Sequence, residues 1–283
     1  MISVCTLVRG RTAHLANLLT GIAGQTVRPD EVLIAYMQDA APAGLPDPGV
    51  PVRELFVPGD PMPLARARNA AAAAARGDML VFLDVDCIPS PSLVARYGVV
   101  LATEPAVYLG EVRYLPPIDG PIDPAMLAAI GERHPAKPAL TDEEIRAVPS
   151  HGELWGLSFA LPRAAWDAAG GMDEAYVGYG GEETDFGARL AAAGMPMAWV
   201  GGAVAYHQHH AVHIPPLHQF DAILRNATLF RARWSRWCMD YWLGQFAAAG
   251  LIEWSDTAEA IVVLRRPSAA EVAASFREDA RFS

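Results

Sequence analysis

The sequence predicts an α/β fold built on a doubly wound, mostly parallel sheet, and two observations lead to that prediction. Apolar runs rich in β-branched residues alternate with helical patterns through the N-terminal third of the chain. The run Met79–Leu83 is continuously apolar, as is typical of a strand buried on both faces. Strands that alternate with helices form parallel sheets with helices on both faces. Ligands of such sheets bind at the carboxyl ends of the strands, so we expect the functional site there.

The individual elements follow from the spacing of apolar residues. Short apolar runs predict strands at 2–8, 31–37, 52–57, 79–83, 107–114, 154–161, 197–200 and 203–207. Apolar residues at three- and four-residue spacing predict helices at 12–23, 64–76, 92–101, 162–169 and 182–193. We expect these elements to form one domain over residues 1–213.

Two segments depart from this pattern. Residues 116–150 hold seven prolines and many charges, with short helices expected at 124–130 and 142–147, and they predict a lid-like insertion over the cleft. Residues 214–283 contain aromatic-rich helical patterns at 219–231 and 234–249 and a strand-like run at 260–264. These patterns predict a C-terminal helical extension packed on the domain. The tryptophans of this extension are expected to pack between its helices or to form a dimer interface. A homodimer is therefore a further prediction.

Composition argues against several classes of protein. The formal net charge of −10 makes nucleic acid and anionic membranes poor partners, because the chain repels phosphate groups. The three cysteines suit neither a disulfide framework nor a zinc site of CxxC type, which fits a cytoplasmic location. No signal peptide or transmembrane segment is expected, since glycines and a proline break the longest uncharged stretch, 190–206.

Asp84 and Asp86 follow the buried strand directly, at the edge where ligands are expected. Two carboxylates at i and i+2 can face one cleft if the chain turns there. Their hard oxygen ligands suit Mg²⁺ or Mn²⁺, which complete their coordination with substrate phosphates. The alternative is a turn in which the aspartates accept hydrogen bonds from local backbone donors.

Histidines cluster at the end of the last predicted strand, at positions 207, 209, 210 and 213. Imidazole is an acceptable ligand for Mn²⁺ and a better one for Zn²⁺, but the spacing matches no zinc motif. A surface loop of solvated histidines is the alternative. His207 alone ends the strand pattern, so it is the histidine expected to meet Asp86 across the cleft.

A glycine-rich turn leads into the helix predicted at 182–193. Gly180 and Gly181 let a substrate approach the backbone, and Glu182, Glu183 and Asp185 follow in the first helical turn. A carboxylate held beside a bound sugar can take a proton from an acceptor hydroxyl. Capping and the helix dipole also favour acids at this position, although three acids exceed what capping needs.

Basic residues stand at two further positions near the expected site. Arg9 and Arg11 follow the first strand, and Arg66, Arg68 and Asn69 lie in the first turns of the helix predicted at 64–76. In an acidic chain, such residues suit phosphate groups or the edge of a base. Ordinary surface charge is the alternative.

Together these segments resemble family 2 glycosyltransferases, and more closely a subgroup related to the β-1,4-galactosyltransferases and chondroitin polymerase. The resemblance covers residues 2–210 and rests on the order of six segments: LARARN (64–69), RGD (76–78), VFLDVD (81–86), GGMDE (170–174), GGEETD (180–185) and AYHQ (205–208). It implies the GT-A fold, a Rossmann-like, mixed and mostly parallel sheet flanked by helices. It also implies a nucleotide-sugar donor, a saccharide or small-molecule acceptor, and Mn²⁺ or Mg²⁺ as cofactor.

The resemblance implies roles for the acidic residues and the histidine. Asp86 and His207 would bind the metal, and Asp84 would contact the ribose or be a second metal contact. Glu183 stands where inverting members carry their catalytic base. Glu182, together with Asp185, would hold the acceptor.

It also implies further contacts to donor and acceptor. Arg9 and Arg11 resemble the first-strand loop that contacts uracil and phosphates, and Trp155 would lie against the donor or acceptor sugar. The set of expected binding residues is completed by Arg66, Asn69, Gly180 and Gly181.

Two positions depart from the family pattern. The second strand usually ends in an aspartate pair that reads the base, whereas this chain has Met37-Gln38-Asp39, which leaves Asp39 as a candidate base contact. Glu183 replaces an aspartate and adds one methylene to the reach of the expected base. A different acceptor position or a retaining reaction therefore stays open.

The resulting prediction is a metal-dependent glycosyltransferase that moves a sugar from a nucleotide diphosphate, with UDP favoured, to an acceptor hydroxyl with inversion. The alternative is a catalytically degenerate GT-A domain that binds sugar nucleotides or a partner without turnover. A nucleotidyltransferase that forms sugar nucleotides is disfavoured, because the loop 8–11 is too short for the phosphate-binding loop of that class.

Overall fold

The computed structural model describes residues 1–118 and 120–282. The strands are β1 (Ile2–Val8), β2 (Glu31–Tyr36), β3 (Val52–Phe56), β4 (Met79–Leu83), β5 (Cys87–Pro89), β6 (Val107–Tyr114), β7 (Glu132–Arg133), β8 (Ile145–Ala147), β9 (Ser158–Pro162), β10 (Met197–His207), β11 (Val212–His213), β12 (Ile252–Glu253), β13 (Val262–Val263) and β14 (Phe276–Arg277). The α-helices are α1 (Thr12–Ala23), α2 (Leu64–Ala74), α3 (Leu93–Thr103), α4 (Pro124–Ile130), α5 (Arg163–Ala168), α6 (Glu182–Ala192), α7 (Phe220–Trp234), α8 (Asp240–Ala248) and α9 (Ala269–Ala274).

The central sheet has the strand order β3-β2-β1-β4-β9-β6-β10-β5. The first four of these strands are parallel, and β6 is parallel to β10. Strand β9 runs antiparallel between β4 and β6, and β5 is antiparallel to β10 at the edge. The predicted α/β fold, with a mixed and mostly parallel sheet flanked by helices, is confirmed.

Helices cover both faces of the sheet for reasons visible in their sequences. Helix α1 buries Leu15, Leu18, Leu19 and Ile22 at three- and four-residue spacing, and these side chains join one core cluster. Burial of such an aliphatic side chain contributes roughly 2 kcal/mol. Helix α2 buries mostly alanines on the other face, so its backbone can lie close to the sheet. Together the two clusters bury β1, β2 and β4 on both sides.

The segment predicted as a helix at 142–147 is instead the strand β8, and that prediction is wrong. Its residues pair antiparallel with β10, where Ile145 lies opposite Val200. A segment this short cannot hold a helix alone, because helix nucleation is costly, whereas an open sheet edge offers hydrogen-bond partners.

The two strands predicted at 197–200 and 203–207 are one strand, β10. The register of β10 against β6 shifts between Val200 and Val204, so the Gly201-Gly202 pair forms a bulge. Gly202 has a φ of +80°, and a side chain at Gly201 would collide with the carbonyl of Thr141. The bulge therefore needs glycine at both positions.

The C-terminal residues form a hydrophobic cluster of their own around Phe230, Leu243 and Phe246. The second helix of this region begins at Asp240 rather than at 234, because Ser235 and Met239 adopt left-handed backbone angles, with φ of 54° and 59°. None of the helices described in residues 1–118 and 120–282 is long and apolar enough to cross a membrane.

Candidate active site

Strand pairing brings Asp86 next to His207 at the edge of the sheet. The chain turns after β4, and the following strand β5 pairs with β10 so that Cys87 lies opposite His207. His207 Nε2 lies 3.6 Å from Asp86 Oδ1, and His210 Nε2 lies 3.5 Å from Asp86 Oδ2. One ligand atom from each of these three residues lies within 4.8 Å of the others.

This group fits a divalent cation. Two ligand atoms bound to one ion at about 2.1 Å each lie roughly 3 Å apart, close to the observed spacing. Burial lowers the pKa of His207, which keeps the imidazole neutral as a metal ligand requires. Burial raises the pKa of Asp86, but His207, His210 and Arg11 outweigh it and hold this pKa well below its ordinary value. Asp86 is therefore a carboxylate at neutral pH.

Gln208 ties the two histidines to the rest of the site. Its backbone N–H donates to the carbonyl of Asp86 at 2.6 Å, and its side-chain amide donates to the carbonyl of His14 at 3.1 Å. Asn17 donates to the Gln208 side-chain oxygen at 2.8 Å. These bonds fix the end of β10 against the turn after β4 and against helix α1.

Arg68 lies at the centre of a cluster of acids beside the Asp/His group. Its side chain is 2% exposed, and it contacts Glu183 at 2.7 Å, Asp84 at 3.0 Å and Glu182 at 3.5 Å. Three carboxylates face one guanidinium, so the cluster carries an excess of negative charge. Burial, and then the charge of Glu183, raise the pKa of Glu182 to about 7. Burial, together with Asp86 and Glu183, also raises the pKa of Asp84 despite Arg68.

The glycine-rich turn presents Glu183 to this cluster. Gly180 and Gly181 have φ of +84° and +93°, a region that favours glycine, and α6 begins directly after them. The Glu183 side chain is 27% exposed, so a substrate can reach its carboxylate. A side chain at Gly156 would collide with that carboxylate, so glycine is required there as well.

Three of the predicted donor contacts lie at the same edge of the sheet. The Arg11 guanidinium pairs with the Asp86 carboxylate. Arg9 donates to the carbonyls of Met37 and Gly59 and thereby joins the loops that follow β1, β2 and β3. Asp39 is exposed beside these loops.

Three other predicted residues are engaged away from the Asp/His group. Arg66 donates to the carbonyl of Pro58. Asn69 donates to the carbonyl of Met172 at 2.8 Å and stabilises the turn before α6. Asp185 is fully buried, and its carboxylate accepts hydrogen bonds from Arg189 at 2.8 Å and from other neighbours. All three hold the scaffold around the site in place.

Trp155 lies in a cavity next to the site. The Lys137 ammonium is 3.5 Å from the centroid of its ring, and the His134 ring is 5.2 Å away. Tyr114 lines the same cavity, and its ring centroid is 4.8 Å from that of His207. Ring contacts from Trp155 to His134, from His134 to Tyr114 and from Tyr114 to His207 therefore link the cavity to the Asp/His group.

The structure brings into the site two residues, Arg68 and His210, to which the sequence patterns assign no specific role. The sequence does indicate that Arg68 is buried. It lies three residues after Ala65 and four before Ala72, on the buried face of helix α2, whereas Arg66 lies on another face. No periodic signal exists for His210, because it lies in a loop beyond the end of β10.

Comparison with known proteins points to one class of enzyme. Residues 62–127 match the model of glycosyl transferase family 2, and residues 146–214 match that of the N-terminal domain of galactosyltransferase. The first range contains Arg68, Asp84 and Asp86, and the second contains Glu183 and both histidines of the Asp/His group.

Individual relatives agree with these matches. Validoxylamine A glucosyltransferase of Streptomyces hygroscopicus subsp. limoneus is 26% identical over 227 residues, which cover 70% of this chain and 49% of that protein. The structure of S. aureus TarS 1-349 is similar with a TM-score of 0.55 and 12% identity, covering 80% of this chain and 64% of that one. The structure of GalNAc-T7 with UDP, GalNAc and Mn²⁺ is similar with a TM-score of 0.54 and 16% identity, covering 74% of this chain and 44% of that one.

The chain spans less than two thirds of the length of these relatives, and the structural likeness at such low identity shows the fold alone. That fold agrees with the two matched sequence regions. The chain thus has the GT-A fold, and it is similar to family 2 glycosyltransferases over residues 62–127 and to the galactosyltransferases over residues 146–214.

Proposed function

We propose that the chain is a metal-dependent transferase that moves a sugar from a nucleotide-diphosphate donor, with UDP favoured, to an acceptor hydroxyl with inversion. The observation that carries the proposal is the meeting, at one edge of the sheet, of an Asp/His cation site with a partly exposed carboxylate, Glu183. The similar structures support the choice of UDP, since GalNAc-T7 was solved with UDP and Mn²⁺ and TarS 1-349 with UDP-GlcNAc.

Asp86, His207 and His210 would hold Mn²⁺ or Mg²⁺, and two imidazole ligands favour Mn²⁺. A cation bound there supplies positive charge for the leaving nucleoside diphosphate. Arg11, which pairs with Asp86, lies where its guanidinium can turn to the same diphosphate. Asp84 then contacts the ribose, as the resemblance to the family implies.

Glu183 takes the proton of the acceptor hydroxyl, which attacks the anomeric carbon from the face opposite the leaving group. Its carboxylate is held by Arg68 at 2.7 Å and packs closely against Gly156, which has no side chain to displace it. Arg68 acts here as a positioning residue. Inversion is the outcome expected when one carboxylate serves as the base.

The test of donor binding is thermal stabilisation by a panel of nucleotide sugars, with and without Mn²⁺, followed by slow hydrolysis of the donors that bind. Stabilisation and hydrolysis that both depend on Mn²⁺ support the proposal. Stabilisation without hydrolysis or transfer would favour the alternative of a degenerate domain that binds sugar nucleotides. If no donor stabilised the chain and none was hydrolysed, the proposal as a whole would be contradicted.

Glu183→Gln tests the base separately. Turnover should fall by about 100-fold or more while the Kd of the donor stays unchanged, because the base acts on the acceptor. Glu174→Gln removes an exposed acid on the turn before α6 and is the matched control. Equal turnover of Glu183→Gln and the wild type would place the base elsewhere.

We also propose how the chain is divided into a domain, a lid and an extension. We infer that residues 116–150 act as a lid over the cleft and that 214–283 form an extension on a domain of residues 1–213. Contacts of α7 and α8 with the turn before α6 support the second part. A homodimer stays a prediction, and sedimentation equilibrium measures it directly.

A further inference from the structure

Lys137 is the single lysine of the chain, which otherwise carries arginine at its cationic positions. Its side chain is 19% exposed, and its ammonium lies 2.7 Å from Glu153 Oε2 and 3.3 Å from the Glu153 carbonyl. The same ammonium lies 3.5 Å from the centroid of the Trp155 ring. An aromatic face and a carboxylate that converge on one point are the groups that proteins use to recognise an ammonium ion.

This ammonium position borders the proposed active site. Trp155 directly precedes Gly156, whose backbone abuts the Glu183 carboxylate. Tyr114 lines the cavity beside Trp155 and packs against His207. The ammonium position therefore adjoins the proposed base through the Trp155-Gly156 link.

The cavity wall also contains a hydrogen-bond donor that no group of the described residues accepts from. Trp199 lines it, and its indole N–H is buried and has no hydrogen-bond partner within residues 1–118 and 120–282. The cavity is about 40 Å³, room for only a few water molecules while Lys137 is in place. A second acid of the cavity wall, Glu111, is neutralised by Arg113 at 2.9 Å, so Glu153 is the carboxylate that depends on Lys137.

We propose that the Trp155 face and Glu153 form a subsite for an amine-bearing acceptor, and that Lys137 occupies this subsite until the acceptor arrives. The inference rests on the proposed transferase function. The acceptor's ammonium replaces that of Lys137 and keeps the same two contacts, while a hydroxyl of the same molecule reaches Glu183. A neutral acceptor at this position would leave the partly buried Glu153 carboxylate without its cation, which is unfavourable.

Displacement of Lys137 can be observed directly, because one lysine yields one set of lysine side-chain NMR signals. The full chain, labelled with ¹³C-lysine and supplied with diamagnetic Mg²⁺ and UDP, is titrated with glucosamine, glucose, N-acetylglucosamine and glucose 6-phosphate. The ε-methylene signal should start upfield of free lysine, because it lies over the Trp155 ring. Glucosamine should move it saturably towards the position of free lysine, and glucose and N-acetylglucosamine should not.

Two variants separate the contacts. Trp155→Leu should place the signal near free lysine from the start. Combined with Lys137→Met, where no internal ammonium shares the contact, it should weaken glucosamine binding by about 2- to 30-fold, the range of a cation–π contact. Lys137→Met removes the internal competitor, so glucosamine should bind more tightly to it than to the wild type, with no change for glucose. The Kd values are measured by calorimetry.

An unmoved signal in the glucosamine titration overturns the proposal. A signal that moves with glucose 6-phosphate instead of glucosamine also overturns it, because Lys137 would then bind an anion. Donor hydrolysis that depends on Mn²⁺ tests the transferase function separately. Hydrolysis without displacement therefore rejects the amine subsite alone, and a lack of donor binding and hydrolysis rejects the underlying function.

Discussion

Asp84 and Asp86 lie two residues apart, yet their surroundings move their pKa values in opposite directions. Burial and two neighbouring carboxylates raise the pKa of Asp84, whereas two imidazoles and Arg11 overcome burial at Asp86 and lower its pKa. Paired carboxylates with separated pKa values generally have separate tasks. At the residue scale this supports Asp86 as the direct cation ligand and Asp84 as a contact to the donor.

His210 provides the sharpest test of the cation site. His210→Ala removes one of the three candidate ligands of the cation. It should therefore weaken Mn²⁺-dependent binding of the donor by about tenfold or more. His209→Ala is the matched control, since the neighbouring imidazole lies outside the group. Calorimetric titration with UDP and Mn²⁺ measures both, and equal affinities would remove His210 from the site.

Glu182 makes the stability of the metal-free protein depend on pH. Its pKa of about 7 in the folded state lies above that of an unfolded glutamate, so the folded state binds the extra proton. The stability that this proton provides is present at low pH and is lost as the pH rises through about 7.

Glu182→Gln should remove that dependence. Relative to the wild type, the variant should gain on the order of 1–3 kcal/mol of unfolding free energy between about pH 5 and about pH 8. Urea unfolding at the two pH values measures the difference. Glu259→Gln, with a side chain that is 94% exposed, is the control and should show no such gain. A gain shared by both variants would exclude the Arg68 cluster as its cause.

At the scale of elements, the start of α6 depends on backbone conformation more than on side chains. Gly181 has a φ of +93°, and an added Cβ would lie 3.0 Å from the Tyr176 ring. The conformation places Glu182 and Glu183 of the first helical turn beside Arg68, and no side chain caps the start of the helix.

Gly181→Ala should therefore cost roughly 2–4 kcal/mol of unfolding free energy, from the left-handed backbone and the contact with Tyr176 together. Gly194→Ala is the matched control, because Gly194 has a φ of +70° but no atom within 4 Å of an added Cβ among the described residues. It should cost about 1–2 kcal/mol. Equal losses in urea unfolding would show that the Tyr176 contact adds nothing.

At the scale of the whole molecule, the C-terminal residues complete the site. Asn226 of helix α7 is 1% exposed, and its side-chain amide donates to the carbonyls of Gly180 at 2.6 Å and Val177 at 3.2 Å. Trp242 of α8 packs against Tyr179 with ring centroids 5.3 Å apart. The turn that carries Glu183 is thus supported from the C-terminal cluster.

Asn226→Ala should destabilise the protein by about 1–3 kcal/mol, because the Gly180 carbonyl loses the buried Asn226 donor. It should also lower kcat with little change in donor Kd, since the loop that it holds carries the proposed base rather than the cation ligands. Thr228→Ala, an exposed position on the same helix, is the control. A fall in donor affinity without a fall in kcat would contradict this link between the extension and Glu183.

The local spacing of apolar residues predicted most of the first two hundred residues, including α1, α2, β4 and β6. It could do so because a helix or a half-buried strand encodes its buried face in a period of 3.6 or two residues, and a strand buried on both faces is a continuous apolar run. The same reasoning placed Asp86 and His207 at strand ends. The sequence by itself therefore determined the fold class and the edge of the sheet at which the candidate site lies.

Tertiary structure decided which side chains meet at that edge. Arg68 contacts Glu183 across more than a hundred residues of sequence, His210 reaches Asp86 from a loop, and β8 pairs with β10 where a helix was predicted. No local period encodes such contacts, because they depend on strand pairing, loop path and the packing of helices on the sheet. The positions of Asp185, which is held inside the scaffold, and of Lys137, which lies over Trp155, were decided in the same way.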